Sequence, residues 1–571
     1  MLAMARQKPG AAPAPTAPLW PSIFVAFIAL GAFYPALKNG FVWDDQAMLV
    51  INPIFRRLDL RNLQWLLTTF HMGPYQPLSW ASYTLDFQLW GMNPFGYHLT
   101  NLLLHAANAA LVFILARALF TRISPKTPTS DLAWGAAAAA LLFALHPLRV
   151  ESVAWVTERR DVLSGFFYLL AALLYLRRRP VLSFCFFLLS LSAKAIGVTF
   201  PIALLILDAY ILDRDPRESW EEKLPFFAAA LAAGIAGYVG QARSHAMMHA
   251  QAYGAAARIA QTAYGLVFYV SKTFWPSRLL PLYEMPAHFD PWSALYIGCG
   301  AAVLALTIGL YYLRPRFPAA WAAWLFYAVT LFPVLGIVHF GPQIVADRNS
   351  YLACLSWPLL SVGVILSRPA WPRKAGLCAA TAAAMVLAAL TWQQAKVWHS
   401  DESLWFYTVA AAPNQSIPHN ELGQALALLG KMPAAMTQFQ QAVVLDPANA
   451  SAHYNLGMAL SSEKDLDKAM AEYRLALGLR PGYPAAGVNL GILLASQDKV
   501  EEAEALYRLV IAGNPDYAPA HLNLGIALAN QKRWDEAITE FEQALRIYPR
   551  YREARYDLEQ ARLAQQGGLK R

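Results

Sequence analysis

Residues 455–481 read NLGMALSSEKDLDKAMAEYRLALGLRP, and the pattern returns 34 residues later from Asn489 to Pro515. Pro413, Pro447, Pro481, Pro515 and Pro549 share this step. So do Leu422-Gly423, Leu456-Gly457, Leu490-Gly491 and Leu524-Gly525, with Ala435, Ala469, Ala503 and Ala537. The aromatics Phe439, Tyr473, Tyr507 and Phe541 keep the same register. A fixed period of this length marks a stack of helix pairs. Gly and Ala let two helices approach, the aromatic fills the gap to the next pair, and Pro stops the second helix. Four repeats result, closed by a polar helix near 550–565.

This 34-residue signature is the tetratricopeptide pattern, and it covers 413–571. Such an array offers a concave docking surface, or serves as a spacer or lid. It contains no catalytic constellation. Residues 396–412 read as a linker.

The chain before it has another character. The 571 residues are 57% hydrophobic and 15% charged, with mean hydropathy +0.33. Soluble domains carry about 25% charged residues, so this composition excludes an ordinary cytosolic enzyme and indicates a membrane protein. Net charge is +9, unevenly divided. The repeats hold 16 basic and 18 acidic residues, the preceding 412 residues 30 and 19. A basic excess within the apolar part fits lipid headgroups or phosphate-bearing lipid and not nucleic acid. Cys185, Cys299, Cys354 and Cys378 all lie in apolar runs and read as small core residues.

The predicted fold is all-α: a polytopic membrane bundle over 19–395, then the helical solenoid. Residues 1–18 form an Ala/Pro-rich tail, expected to be disordered. Apolar runs at 19–37, 98–119, 131–146, 162–176, 180–195, 197–212, 224–240, 292–313, 319–340, 351–367 and 375–392 predict about eleven spans. Residues 255–276 read as an in-plane or re-entrant helix. The N-terminus is then cytoplasmic and the repeats lie outside.

Polar motifs gather on the outer side of this topology. The first outer loop carries Asn39-Gly-Phe-Val-Trp-Asp-Asp45. Either Asp44 or Asp45 suits a general base, and the pair equally suits a helix N-cap. Farther on lies His71-Met-Gly-Pro-Tyr-Gln-Pro-Leu78. His98, Asn101, His105 and Asn108 form one stripe on an apolar helix, for interhelical hydrogen bonds or a wet cavity. The block His146 to Asp161 packs six charges between two spans. Arg149, Arg159 and Arg160 suit a phosphate clamp, or internal ion pairs of an interfacial helix. Lys194 either snorkels or meets a lipid phosphate. Asp347-Arg348 is a second outer knot. His245 and His249 stand four apart in a Met/Ala-rich loop. The acid pair also suits a divalent cation, but the metal is unknown because no complete ligand set is visible.

Together Phe41-Val-Trp-Asp-Asp45, the His146–Asp161 block and Asp347-Arg348-Asn-Ser-Tyr351, followed by the repeats, resemble one family. It is the transmembrane and tetratricopeptide-repeat O-mannosyltransferases and their bacterial relatives, a branch of the family C glycosyltransferase fold. The resemblance implies a polyprenyl-phosphate-linked sugar as donor and a protein or glycan acceptor on the periplasmic side of a bacterial inner membrane. It places the base at Asp44 or Asp45 and matches Arg348 to the family's Asp-Arg-Tyr element, with Asn349 where Tyr is usual. The expected phosphate-binding set is Arg149, Arg159, Arg160, Lys194 and Arg348, supported by His146, Glu151, Asp161 and Asp347. The rival readings are a membrane-anchored scaffold without catalysis and an oligosaccharide ligase or polymerase.

Overall fold

A computed structural model describes residues 20–215, 219–243, 254–286, 288–337, 342–367 and 372–568. The N-terminal tail, His245 and His249 lie outside these. The chain divides into two compact units, 1–404 and 405–571.

The first unit is a bundle of apolar helices. The expected runs are helical, but hydropathy and helix length disagree on the number of spans. Among the described residues, five helices are long and apolar enough to cross a membrane alone: Pro94–Ile123, Ala195–Leu212, Glu221–Gly240, Ala294–Leu313 and Arg373–Val397. The count is seven if two bent pairs are each one span. These are Thr129–Ala144 with Pro147–Ala154, bent by 56°, and Asp347–Ala353 with Ser356–Ser367, bent by 43°. Trp20–Ala32, Pro180–Ala193 and Pro318–Val334 are shorter apolar helices. Thirteen residues of α-helix, as in Trp20–Ala32, rise only about 20 Å, against a hydrocarbon core of about 30 Å.

Pro94–Ile123 is the central strut. Its first turn is set by Asn93, whose side chain accepts from the Phe95 amide, and by Pro94 at the first helical position. The polar stripe His98, Asn101, His105 and Asn108 is fully buried. His98 Nε2 lies 3.2 Å from the Gly40 carbonyl. Asn101 donates to the carbonyls of Val153 and Trp155, each at 3.2 Å. His105 bridges the Tyr351 hydroxyl (2.8 Å) and the Ala144 carbonyl (3.0 Å). Asn108 donates to the Val162 carbonyl and to the Tyr351 hydroxyl. The stripe therefore pins the ends of several other segments to one helix. Each bond satisfies a backbone carbonyl or hydroxyl that would be costly to leave unpaired at that depth.

A short two-stranded ribbon lies beside the helices. Strand β1 (Tyr283–Glu284) pairs antiparallel with β2 (Gln343–Val345). The helix Ala255–Phe274 braces it: Gln261 donates to the Ile344 carbonyl, and the Tyr269 hydroxyl joins the Ala346 carbonyl (2.9 Å) and amide (3.1 Å). This fixes the segment that carries Asp347 and Arg348. The four cysteines are unpaired.

The second unit is the repeat array. Its helix pairs are Ser416–Leu428 with Met432–Leu445, Ala450–Ser462 with Leu466–Leu479, Pro484–Ser496 with Val500–Gly513, and Ala518–Asn530 with Trp534–Ile547. Arg552–Gly568 closes the stack. A Cβ at Gly423, Gly457, Gly491 or Gly525 would come within 3.0 Å of the Phe439, Tyr473, Tyr507 or Phe541 ring. Close approach, not a special backbone angle, therefore requires these glycines.

Candidate active site

Four distant segments meet at one end of the bundle: Asp44-Asp45, 149–161, Lys194 and Asp347-Arg348. Their centre is Glu158, fully buried just before the helix Arg159–Leu176. Its carboxylate joins three cations. Arg160 reaches it through two nitrogens, with Nε to Oε2 at 3.1 Å. Lys194 Nζ lies 3.0 Å from Oε2, and Arg348 Nε lies 3.3 Å from Oε1. Burial alone would raise Glu158, but Arg160, Lys194 and Arg348 hold its carboxyl well below the usual range.

Two more carboxylates share these cations. Glu151 forms an ion pair with the Arg348 guanidinium and accepts from the Arg348 amide at 2.7 Å. Asp161 accepts from Lys194 Nζ at 2.6 Å and from the Ser152 hydroxyl at 2.9 Å. Arg160, Lys194 and Arg348 nevertheless retain 17%, 17% and 11% side-chain exposure, while Glu158 has none. The cations thus form the accessible side of the cluster and the acids its floor.

The adjacent acids differ. Asp45 is fully buried and accepts three hydrogen bonds: from the Val42 amide (3.1 Å), the Thr157 amide (2.8 Å) and the Thr157 hydroxyl (2.5 Å). It knots the first outer loop to the 155–158 turn. Burial pushes Asp45 up to about 7 against these hydrogen bonds. Asp44 is only partly buried and, among the described residues, accepts no hydrogen bond. Desolvation raises its pKa, opposed by the charges of Arg160 and Arg348. Trp43 aims this pair. It holds φ 54°, a costly angle for a tryptophan. Its amide donates to Asp401 Oδ1 at 2.7 Å, and its ring stacks on Trp155 at 4.5 Å.

The other predicted residues lie behind this surface. Arg159 is buried, paired with Asp86 and donating to Asn101 Oδ1 and the Tyr97 carbonyl, both at 2.8 Å. Arg149 is buried between the Phe143 and Tyr351 rings and donates to the Ser350 carbonyl at 2.8 Å. His146 caps its own turn through the Leu148 amide and meets the Thr273 carbonyl at 2.9 Å. Asp347 accepts from the Tyr283 hydroxyl at 3.0 Å. Sequence reasoning placed Glu158 inside the charged block but did not single it out; its partners 36 and 190 residues away carry no local signal. Among the described residues no group of three or more His, Cys, Asp or Glu could hold a metal ion.

Comparison with known proteins adds three findings. Residues 423–462, 450–483 and 488–552 match tetratricopeptide-repeat family models. Curated relatives are also similar to parts of the chain. Protein O-mannosyl-transferase Tmtc1 of Drosophila melanogaster is 36% identical over 160 residues, 26% of this chain and 17% of that protein. Protein O-mannosyl-transferase TMTC2 of Mus musculus is 41% identical over 103 residues, covering 18% and 11%. Protein O-mannosyl-transferase TMTC4 of Homo sapiens is 31% identical over 171 residues, covering 28% and 23%. The chain thus spans less than a quarter of the length of these relatives. Among solved structures, the crystal structure of MamA protein is 26% identical, covering 26% of this chain and 80% of that one, with TM-score 0.24.

Proposed function

We propose that this chain is a membrane-embedded glycosyltransferase that moves a sugar from a polyprenyl-phosphate donor to a protein or glycan acceptor. The carrying observation is Asp44, a carboxylate without hydrogen bonds, beside the partly exposed cations Arg160 and Arg348. A base and an anion-facing cationic surface are the two parts this displacement needs. The acceptor hydroxyl oxygen attacks the anomeric carbon opposite the phosphate. The carbon–oxygen bond to phosphate breaks, the anomeric configuration inverts, and Asp44 takes the hydroxyl proton. The electron pair leaves on the phosphate oxygen, where Arg160, Lys194 and Arg348 balance its charge.

Arg149, Arg159, His146 and Asp347 support this surface from behind, and Glu151, Glu158 and Asp161 hold its cations apart. The similarity to O-mannosyl-transferases makes mannose the first sugar to test and a protein the first acceptor. The reaction faces the periplasm of a bacterial inner membrane, with the N-terminus cytoplasmic and the repeats presenting the acceptor. The test is transfer by the purified full-length protein from polyprenyl-phosphate mannose to a panel of peptides. Transfer that Asp44→Asn abolishes supports the reading; no transfer from any polyprenyl-phosphate sugar, or full transfer by Asp44→Asn, overturns it.

A further inference from the structure

Beside the cationic surface lies a group of buried polar atoms that have no partner among the described residues. Gln76 is 1% exposed, yet neither Nε2 nor Oε1 makes a hydrogen bond. Trp80 is fully buried with Nε1 unpaired. His71 is engaged with the Ala47 backbone, while its Nε2 has no partner. Native proteins satisfy most such atoms, so several together call for a missing partner.

These residues are neighbours. The His71 and Trp80 rings lie 5.7 Å apart, and Trp65 flanks both at 6.2 and 4.9 Å. Ser79, Trp80 and Tyr83 share one face at the start of the helix Pro77–Trp90, and Gln76 is the residue that precedes its first turn. That face abuts the candidate site: Ser79 donates to the Ala193 carbonyl (3.0 Å), next to Lys194, and Tyr83 donates to the carbonyls of Val156 and Thr157. The loop before it is hemmed in, since a Cβ on Gly240 would collide with Phe70 and the Gly73 carbonyl.

The unpaired atoms are chemically mixed. Gln76 Nε2 and Trp80 Nε1 donate; Gln76 Oε1 accepts. His71 Nε2 gives or takes a hydrogen bond according to its tautomer. A phosphate oxygen wants donors alone, a metal ion wants acceptors alone, and an isoprenoid chain wants neither. Hydroxyls, which give and take, match the mixture, and the half-buried Trp65 ring suits the C–H face of a sugar.

We propose that His71, Gln76 and Trp80 form the subsite for the hydroxyls of a hexosyl ring whose phosphate faces Lys194, Arg160 and Arg348. This rests on the transfer reading above and deepens it. The test is binding to the full-length protein in lipid nanodiscs. The probes are a short-chain isoprenyl-phosphate mannose and the same isoprenyl phosphate without sugar. Gln76→Met and His71→Phe should each weaken the sugar-bearing lipid by about tenfold or more, and leave the bare phosphate lipid unchanged. Gln76→Met should not lower the melting temperature of the unliganded protein, because it removes an unsatisfied buried amide. Equal affinities of wild type and both variants for the sugar-bearing lipid would mean that only water fills the site, and would overturn the subsite while leaving the phosphate surface intact. An equal loss on both lipids, or an early melt of unliganded Gln76→Met, would also overturn it by giving these residues a purely structural role. Failure of the wild type to bind either lipid would overturn the transfer reading and the subsite together.

Discussion

Asp45 accepts three hydrogen bonds and Asp44 accepts none, so the same substitution at each should break a different property. Asp44→Asn should lower transfer by about 10²- to 10⁴-fold with an unchanged melting temperature, as loss of a general base predicts. Asp45→Asn turns amide hydrogens toward donors already present, and should cost about 1–3 kcal/mol in a denaturation curve. The pH profile gives an independent check. A base works only when ionised, and burial raises Asp44 above its ordinary value near 3.9. Transfer should therefore fall on the acid side through an apparent pKa above that of a free aspartate, and the residual rate of Asp44→Asn should lack that limb. Glu158 differs again: it neutralises Arg160, Lys194 and Arg348. Glu158→Ala takes the carboxylate partner from Arg160, while Lys194 and Arg348 keep Asp161 and Glu151, and should cost about 1–3 kcal/mol, measured as lost thermal stability. From sequence alone the acid pair suited either a base or an N-cap. Only the fold separates the two, because the Thr157 donors lie 112 residues from Asp45.

At the scale of elements, the repeats were legible because each is a local pattern repeated at fixed spacing. One feature of theirs was not. Gly430, Lys464, Asp498 and Lys532 occupy equivalent turns between paired helices, with φ of 74°, 64°, 64° and 62°. Only the first is glycine, so the sequence hides the left-handed turn in the other three. A side chain there costs roughly 1–2 kcal/mol, partly offset by glycine's greater unfolded freedom of about 0.5–1 kcal/mol. Lys464→Gly and Lys532→Gly should each stabilise the array by up to about 1 kcal/mol, seen as slower amide exchange in 450–548 of the intact protein. The polar stripe on Pro94–Ile123 was legible as one face from its spacing, but its partners were not. Gly40, Ala144, Val153, Val162 and Tyr351 are reached only through tertiary contacts. The same limit hid the unpaired Gln76, whose isolation appears only once its surroundings are assembled.

Across the whole molecule, hydropathy marks apolar stretches but cannot see where the backbone breaks. It predicts about eleven spans, whereas among the described residues five helices have the length and composition to cross unaided, or seven if each bent pair is one span. The difference arises where Pro147 follows a helix end, where Ala353 and Ser356 bound a bend, and where Trp20–Ala32 gives way to the tighter turn Tyr34–Lys38. The position of loops tests the topology more directly than any count. If Asp44, Glu158, Lys194 and Arg348 share one membrane face, Gly91 lies on that face. Arg178 lies on the other if 94–123, 129–154 and 159–176 each cross once. Single cysteines at these two sites, in a protein freed of Cys185, Cys299, Cys354 and Cys378, make the comparison. In intact right-side-out vesicles, Gly91→Cys should react with a membrane-impermeant maleimide and Arg178→Cys should react only after permeabilisation. Labelling of both from outside would require an even number of crossings between them. That outcome would leave the ion pairs of Lys194 and Arg348 with Glu158 intact, but it would break the proposal that they face donor and acceptor from the periplasm.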